Sequence, residues 1–282
     1  MNTILFPTDF SEAAHKAFVY ALHFAKKYKA KVLTLHAYQK PDLAATAHLP
    51  LSLAAFYESI DLMEFESYKD SIPILRKQAD EEGFSSMELQ HVLEEGEVVE
   101  TILKVAERDK VDMIIMGTTG VQGLIELMMG TYAGEVLENA NCPVLAVPEA
   151  STFDGKIDRM AFMTSLGEIE KVGLQKIAEV AQLFDAELYC VNVDLAHTSA
   201  LTNRMEAFKN SIQDNQAINF QVLQGTDVRK AIVDFVNANA IDLVAAVSTK
   251  RSFWEELFQY SRTKDLTYHT NIPVLSIQGH TL

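Results

Sequence analysis

Apolar positions along the chain follow two alternating habits. Short continuous apolar runs recur, and between them lie longer stretches whose apolar residues return with a helical period, the pattern of strands alternating with helices. In the first half the runs predict strands at Thr3–Phe6, Lys31–Ala37, Glu88–Leu93, Met113–Met116 and Pro143–Val147. The periodic stretches predict helices at Ser11–Tyr28, around Phe56–Ala79, at Val98–Asp109 and at Thr131–Glu138. Ser11 is suited to cap the first helix, because its hydroxyl can accept from an otherwise orphaned amide of the opening turn. Strand, helix, strand in this order predicts parallel pairing through right-handed crossovers, with helices on both faces of the sheet.

The second half repeats the first. At an offset of 156 residues, Ile4–Asp9 lies over Met160–Ser165, and the following helix keeps register through Ala25/Ala181, Tyr28/Phe184 and Ala30/Ala186. At an offset of 130, Val92, Leu93, Val98, Ile102 and Asp112 coincide with Val222, Leu223, Val228, Ile232 and Asp242, and Asn141–Leu145 with Asn271–Leu275. Strands are therefore expected again at Arg159–Thr164, Glu187–Val193, Phe220–Leu223, Leu243–Val247 and Pro273–Ile277. The offsets differ by 26 residues (156 − 130), which places extra chain in the first copy between about Tyr38 and Gln90. The expectation is a duplicated α/β domain, residues 1–150 and 156–282, with an insertion at about residues 39–80 and a seam near Pro148–Lys156. Part of that insertion, Ala44–Phe56, is apolar enough for a helix-bearing lid or contact surface, with a disordered loop as the plain alternative.

Composition narrows the functions such a chain can have. Its 282 residues suffice for two domains, and 24 Lys and Arg against 39 Asp and Glu leave a net charge of −15. An acidic surface repels polyanions, which argues against nucleic acid as a partner. Only Cys142 and Cys190 are present, each in an apolar run, so buried free thiols in a reducing cytoplasm are expected rather than a disulfide framework. No apolar stretch approaches the length of a membrane span, and the N-terminus runs into a strand without a signal-like segment, so no membrane association is expected.

Twelve glycines are present, yet Gly117, Gly120, Gly123, Gly130 and Gly134 fall within eighteen residues directly after the fourth strand. Two readings stand for the cluster alone: a loop needing positive φ angles, or a backbone that must approach a bound anion beside a helix N-terminus. Its position favours the anion, because ligands of parallel sheets bind at the C-terminal strand edge where the strand order reverses.

The pattern Gly117-x2-Gly120-x9-Gly130-Thr131, with Pro7-Thr8-Asp9 ending the first strand and Asn141–Leu145 opening the last, resembles the universal stress protein family. The resemblance covers nearly the whole chain as a tandem two-domain member, outside the insertion. It implies two Rossmann-like domains of the adenine nucleotide alpha hydrolase-like type, each a five-stranded parallel sheet with helices on both faces. It also implies a site for ATP or another adenine nucleotide in the first domain. By that resemblance Pro7, Thr8 and Asp9 surround the adenosine, Ala37 forms an adenine-pocket wall, and Met116 and Gly117 continue its floor. Gly120 and Gly130 let amides reach the phosphates, Thr131 donates its hydroxyl, and Tyr132 is grouped with them. The plain alternative is that Asp9 and Thr131 only cap neighbouring helices.

The second copy departs from this pattern. Gly117, Gly120 and Gly130 become Val247, Lys250 and Tyr260, Thr131 becomes Ser261, Pro7 becomes Met163 and Asp9 becomes Ser165. No nucleotide is expected there, although Lys250, Arg251 and Arg262 leave room for a smaller anion. Phe253, Trp254, Phe258 and Tyr260 read as packing residues. No histidine or cysteine pair has metal-ligand spacing, so Mg²⁺ is expected only through a bound triphosphate. Neither a nucleophile elbow nor a Gly-x4-Gly-Lys-Ser/Thr loop is present, and Glu94-Glu95-Gly96-Glu97 reads as a solvated helix start.

The leading expectation is a stress-associated, nucleotide-dependent regulator rather than a fast enzyme. A scaffold of the same fold without nucleotide is the alternative, and a slow ATPase the third. The last strands of the two copies are expected to pair within the chain, since an open edge is a hazard, with a homodimer as a further possibility.

Overall fold

A computed structural model describes residues 1–40, 53–118, 132–195, 199–212, 218–248 and 271–282. The first half runs β1 (Thr3–Pro7), α1 (Glu12–Tyr28), β2 (Lys31–Tyr38), α2 (Leu53–Glu81), β3 (Leu89–Glu95), α3 (Val98–Arg108), β4 (Met113–Thr118), α4 (Tyr132–Asn139) and β5 (Val144–Pro148). The second runs β6 (Arg159–Met163), α5 (Glu168–Phe184), β7 (Glu187–Asp194), α6 (Ser199–Ser211), β8 (Ile218–Gln224), α7 (Val228–Ala238), β9 (Leu243–Ser248) and β10 (Val274–Gln278).

The ten strands form one sheet in the order β3-β2-β1-β4-β5-β10-β9-β6-β7-β8. All neighbours pair in parallel except β5 and β10, which run antiparallel with Leu145 opposite Leu275. Two tandem Rossmann-like sheets are thus joined through their last strands. The inner strands are buried on both faces, which is why β1 and β5 read as nearly continuous apolar runs rather than alternating ones, while β10 buries Ser276 and Gln278 among its apolar residues.

A hydrophobic core lies on each face of the sheet, and each contains residues of both halves. One gathers Phe6, Phe18, Phe24 and Leu75 with Phe162, Ile177 and Phe208. The other gathers Leu5, Ile102 and Val136 with Val191, Phe235 and Val244. Helices α1 and α5 lie on the same face, where the Phe24 and Phe184 rings meet at 4.7 Å. The connecting segment packs on α1 as well: Tyr20 and Ser151 share a buried hydrogen bond of 2.9 Å, and Phe153 stacks on Tyr20 at 4.1 Å.

The repeat is visible atom by atom. Ser11 Oγ caps α1 by accepting from Ala14 N at 3.2 Å, and both α1 and α5 end in a left-handed residue, Lys29 (φ 55) and Asp185 (φ 58), 156 positions apart. Asp112 accepts from the amides of Asn2 and Thr3 at 2.6 and 3.0 Å, and Asp242 from those of Asp158 and Arg159 at 2.8 and 2.9 Å. These carboxylates pin the start of each first strand, which explains why Asp112 and Asp242 coincide in the repeat.

One alignment needs correction. Leu35 pairs with Val92, and its counterpart Val191 pairs with Gln221 rather than Val222. The turn glycines agree: Gly96 donates to Tyr38 O and Gly225 to Asp194 O, 129 residues apart. The offset of 130 is regained only at the helix caps Glu97 and Asp227. The turn before α7 therefore holds one residue more than the turn before α3. The β2–β3 connection, residues 39–88, is correspondingly 27 residues longer than the β7–β8 connection, residues 195–217. It carries the 29-residue α2 where the second half has the 13-residue α6. The segment Ala44–Phe56 lies mostly outside the described residues.

Candidate functional site

The strand order of the first half reverses between β1 and β4, and a crevice at their C-terminal ends is where a parallel sheet takes a ligand. Pro7 and Thr8 end β1, Asp9 follows, Ala37 lies near the end of β2, and Met116 and Gly117 near the end of β4. Six of the expected residues thus share one edge. Tyr132 opens α4 and is exposed. Gly120, Gly130 and Thr131 lie outside the described residues.

The β1–α1 turn is built from side chains bonding to nearby amides. Thr8 N donates to Leu35 O at 2.8 Å, holding the turn to β2. Thr8 Oγ1 accepts from Phe10 N at 3.0 Å, which supports Phe10 at φ 60. Asp9 Oδ1 accepts from Ser11 N at 3.0 Å, so one oxygen of this exposed carboxylate shapes the turn. The other has no partner among the described residues. Capping and ligand contact are therefore compatible at Asp9.

Gly117 has a packing reason of its own. A Cβ there would stand 2.6 Å from Ala13 O and 2.9 Å from Ala14 N, so β4 abuts the first turn of α1 backbone to backbone. Its place in the glycine pattern is accounted for by this close approach, whatever the loop beyond it binds.

Sequence reasoning missed a group of side chains that α2 brings to the same edge. His36 Nδ1 donates to Thr8 O at 2.8 Å, and its ring lies between Phe10 and Tyr68. Tyr38 donates to Asp61 Oδ1 at 2.6 Å, and Lys40 reaches both Asp61 and Glu95 at 2.8 Å. Desolvation and then the Asp61 hydrogen bond push the Tyr38 hydroxyl up to about 12, while Lys40 and Tyr38 hold the Asp61 carboxyl below its usual range. The available signal was Thr34, His36 and Tyr38 at alternate positions of one strand, which places three polar groups on one face.

The second half builds the same turn differently. Thr164 repeats Thr8: its amide donates to Val191 O at 3.0 Å, its Oγ1 accepts from Leu166 N at 2.9 Å, and Asn192 Nδ2 donates to its carbonyl at 2.5 Å where His36 does so in the first half. Asp9 is replaced by Ser165, and the missing carboxylate is supplied by Glu170, at the position of Ala14. Glu170 is 7% exposed; it accepts from Gly167 N at 2.7 Å, from Ser165 N at 3.4 Å and from the Ser165 hydroxyl. The N-terminus of α5 is thereby occupied by the chain's own anion. Val247 stands where β4 has Gly117, and the helix makes room with Gly173, at which any Cβ would meet the Val247 methyl. Lys250, Arg251, Phe253, Trp254, Phe258, Tyr260, Ser261 and Arg262 lie outside the described residues.

Cys142 and Cys190 are buried free thiols, as expected, and burial pushes the Cys142 thiol up to about 12. Among the described residues no helix is long and apolar enough to cross a membrane, and no cluster of metal-ligating side chains occurs.

Fold and edge together define a tandem α/β protein in which Glu170 fills one β–α turn, while the corresponding turn holds no such carboxylate among the described residues. The family model described as the universal stress protein family matches residues 1–148, and the chain belongs to that family. A universal stress protein of Methanocaldococcus jannaschii is 32% identical over 144 residues, covering 51% of this chain and 80% of the relative. The Bacillus subtilis universal stress protein YxiE is 28% identical over 146 residues, covering 52% and 98%. Over nearly the whole length, the crystal structure of a universal stress protein from Archaeoglobus fulgidus has the same fold, with a TM-score of 0.72, 18% identity and coverage of 98% of this chain and 96% of that one.

Proposed function

We propose that the first half binds ATP or another adenine nucleotide at the C-terminal edge of β1 and β4, and that the protein acts as a nucleotide-dependent regulator. The observation that carries this reading is the sequence Gly117-x2-Gly120-x9-Gly130-Thr131 starting at the end of β4, where the strand order reverses. The residues at this edge fit such a ligand. Asp9 keeps one oxygen for a base or ribose donor, Ala37 and Met116 offer small and apolar walls, and the residues after Gly117 include two glycines and a threonine able to donate to phosphate. In a chain of net charge −15 the phosphates must be held by local amides and hydroxyls rather than by bulk charge. A divalent cation would be held chiefly through phosphate oxygens, supplying charge neutralisation. The second half is read as closed to nucleotide, because Glu170 holds its α5 N-terminus and Val247 replaces a glycine.

The test is release of nucleotide from gently purified, heat-denatured protein, together with calorimetric titration of ATP and Mg²⁺. Protein that is both empty and unable to bind ATP sinks the reading. Gly120→Val should abolish binding with the fold intact, and unchanged affinity would remove Gly120 from the phosphate loop.

A further inference from the structure

His36 stands between the candidate site and the helix that only the first half possesses at this length. Its Nδ1 faces the Thr8 carbonyl at 2.8 Å, and a carbonyl can only accept, so Nδ1 carries a hydrogen in either charge state. The proton that comes and goes is therefore the one on Nε2. That atom faces Glu64 Oε2 of α2 at 3.9 Å, with both side chains partly sheltered from solvent. The neutral ring presents a lone pair to the carboxylate, whereas the protonated ring presents a charged donor. The second half makes the same bond to its Thr164 carbonyl with Asn192, which cannot titrate.

We propose that His36 is a proton-operated latch: taking up a proton, it ties α2 to the Thr8–Asp9 turn and so regulates ligand binding at that edge. The nucleotide aspect rests on the reading of the site given above; the latch itself does not. The other groups around the ring leave it this role. On α2, Tyr68 stacks against it and bonds to Thr34, and Asp61 is engaged by Tyr38 and Lys40. From β3, His91 bonds to Thr34 Oγ1 at 2.8 Å, and burial followed by the charge of Arg76 holds its pKa down, which disfavours its charged form. Phe10, on the turn itself, packs its ring against the imidazole at 5.4 Å. Movement of α2 is thus transmitted to Thr8 through the His36 hydrogen bond, and to Phe10 through the His36 ring at 5.4 Å and directly through the Tyr68 ring at 5.8 Å.

The experiment uses the full chain in two arms. In nucleotide-free protein, amide hydrogen exchange of residues 61–72 is followed at about pH 5.5 and about pH 7.5, corrected for intrinsic rates. The wild type should be about threefold more protected at the lower pH, the size of a partly exposed ion pair. H36N keeps a donor for Thr8 and E64Q keeps the helix contact; both should lose the pH dependence. PH dependence that persists in both variants overturns the latch. In the second arm Mg²⁺ and ATP are titrated at the same two pH values, and the wild type should gain about threefold in affinity at the lower pH relative to H36N. Protection that responds to pH in a protein that binds no ATP upholds the latch and removes the nucleotide reading. ATP binding with identical pH profiles in wild type and H36N overturns the link between latch and site.

Discussion

The two β–α turns at the ends of β1 and β6 share a backbone and differ in where they keep their small residues and their carboxylate. In the first, the strand carries Gly117 and the helix carries Ala13, Ala14 and Ala17; in the second, the strand carries Val247 and the helix carries Gly173. In the second half the space left at Gly173 is taken by the Val247 side chain. The carboxylate moves as well, from Asp9 before the helix, with one oxygen unpartnered among the described residues, to Glu170 inside it, with both oxygens used by the turn. The same fold can therefore build this turn with or without a carboxylate folded back onto it, and four or five side chains decide which.

The largest expected effect comes from Gly117. Gly117→Ala puts a methyl against backbone atoms of α1 that cannot step aside, and should lower stability by about 3 kcal/mol. Chemical denaturation measures it, and a change within about 0.5 kcal/mol would show that α1 shifts freely. Next comes Gly173→Ala. An alanine in a helix interior ordinarily gains about 1 kcal/mol, but here it meets the Val247 side chain, and a net loss of about 2 kcal/mol is expected. Adding Val247→Ala should recover most of that loss. A double-mutant cycle without coupling would break the volume-exchange comparison.

Smaller is the loss in Glu170→Ala, which strips a buried charged acceptor from two amides and should cost about 2 kcal/mol at most. Asp9→Ala removes one exposed cap and should cost about 0.5 to 1 kcal/mol. Equal losses at the two positions would mean that the turns are alike after all. The smallest effect sharpens the chemistry rather than the stability. Ser165→Ala should leave ATP affinity unchanged, whereas Asp9→Ala should weaken it about tenfold, roughly one charge-assisted hydrogen bond.

How far this was legible from sequence differs along the chain. The strands, the parallel order and the offset of 156 were readable because Thr8/Thr164, Phe10/Leu166 and Lys29/Asp185 lie in a gap-free stretch whose every turn is repeated. The register of β3 against β8 misled, because the pairs Val92-Leu93 and Val222-Leu223 look alike while both strands lie at the ends of the sheet, half-exposed on both faces. A weak apolar pattern does not fix register, and the extra residue beside Gly225 absorbed the slip. Asp9 was readable as a candidate from its place after β1. His36 and Glu170 were not, since the first depends on a helix arriving from the insertion and the second on a side chain folding back over its own helix start.

The antiparallel seam between β5 and β10 also bears on symmetry. In a twofold dimer of identical chains every residue occurs twice, and a substitution that fills one site fills both. Joining the two halves in one polypeptide, with cores that run through both, lifts that constraint. Glu170 and Val247 can fill space at one edge while their counterparts at the other are Ala14 and Gly117, which carry no such side chains. Because the strands meet head to tail, the two edges open on opposite sides of the slab, so an occupant of one does not approach the other.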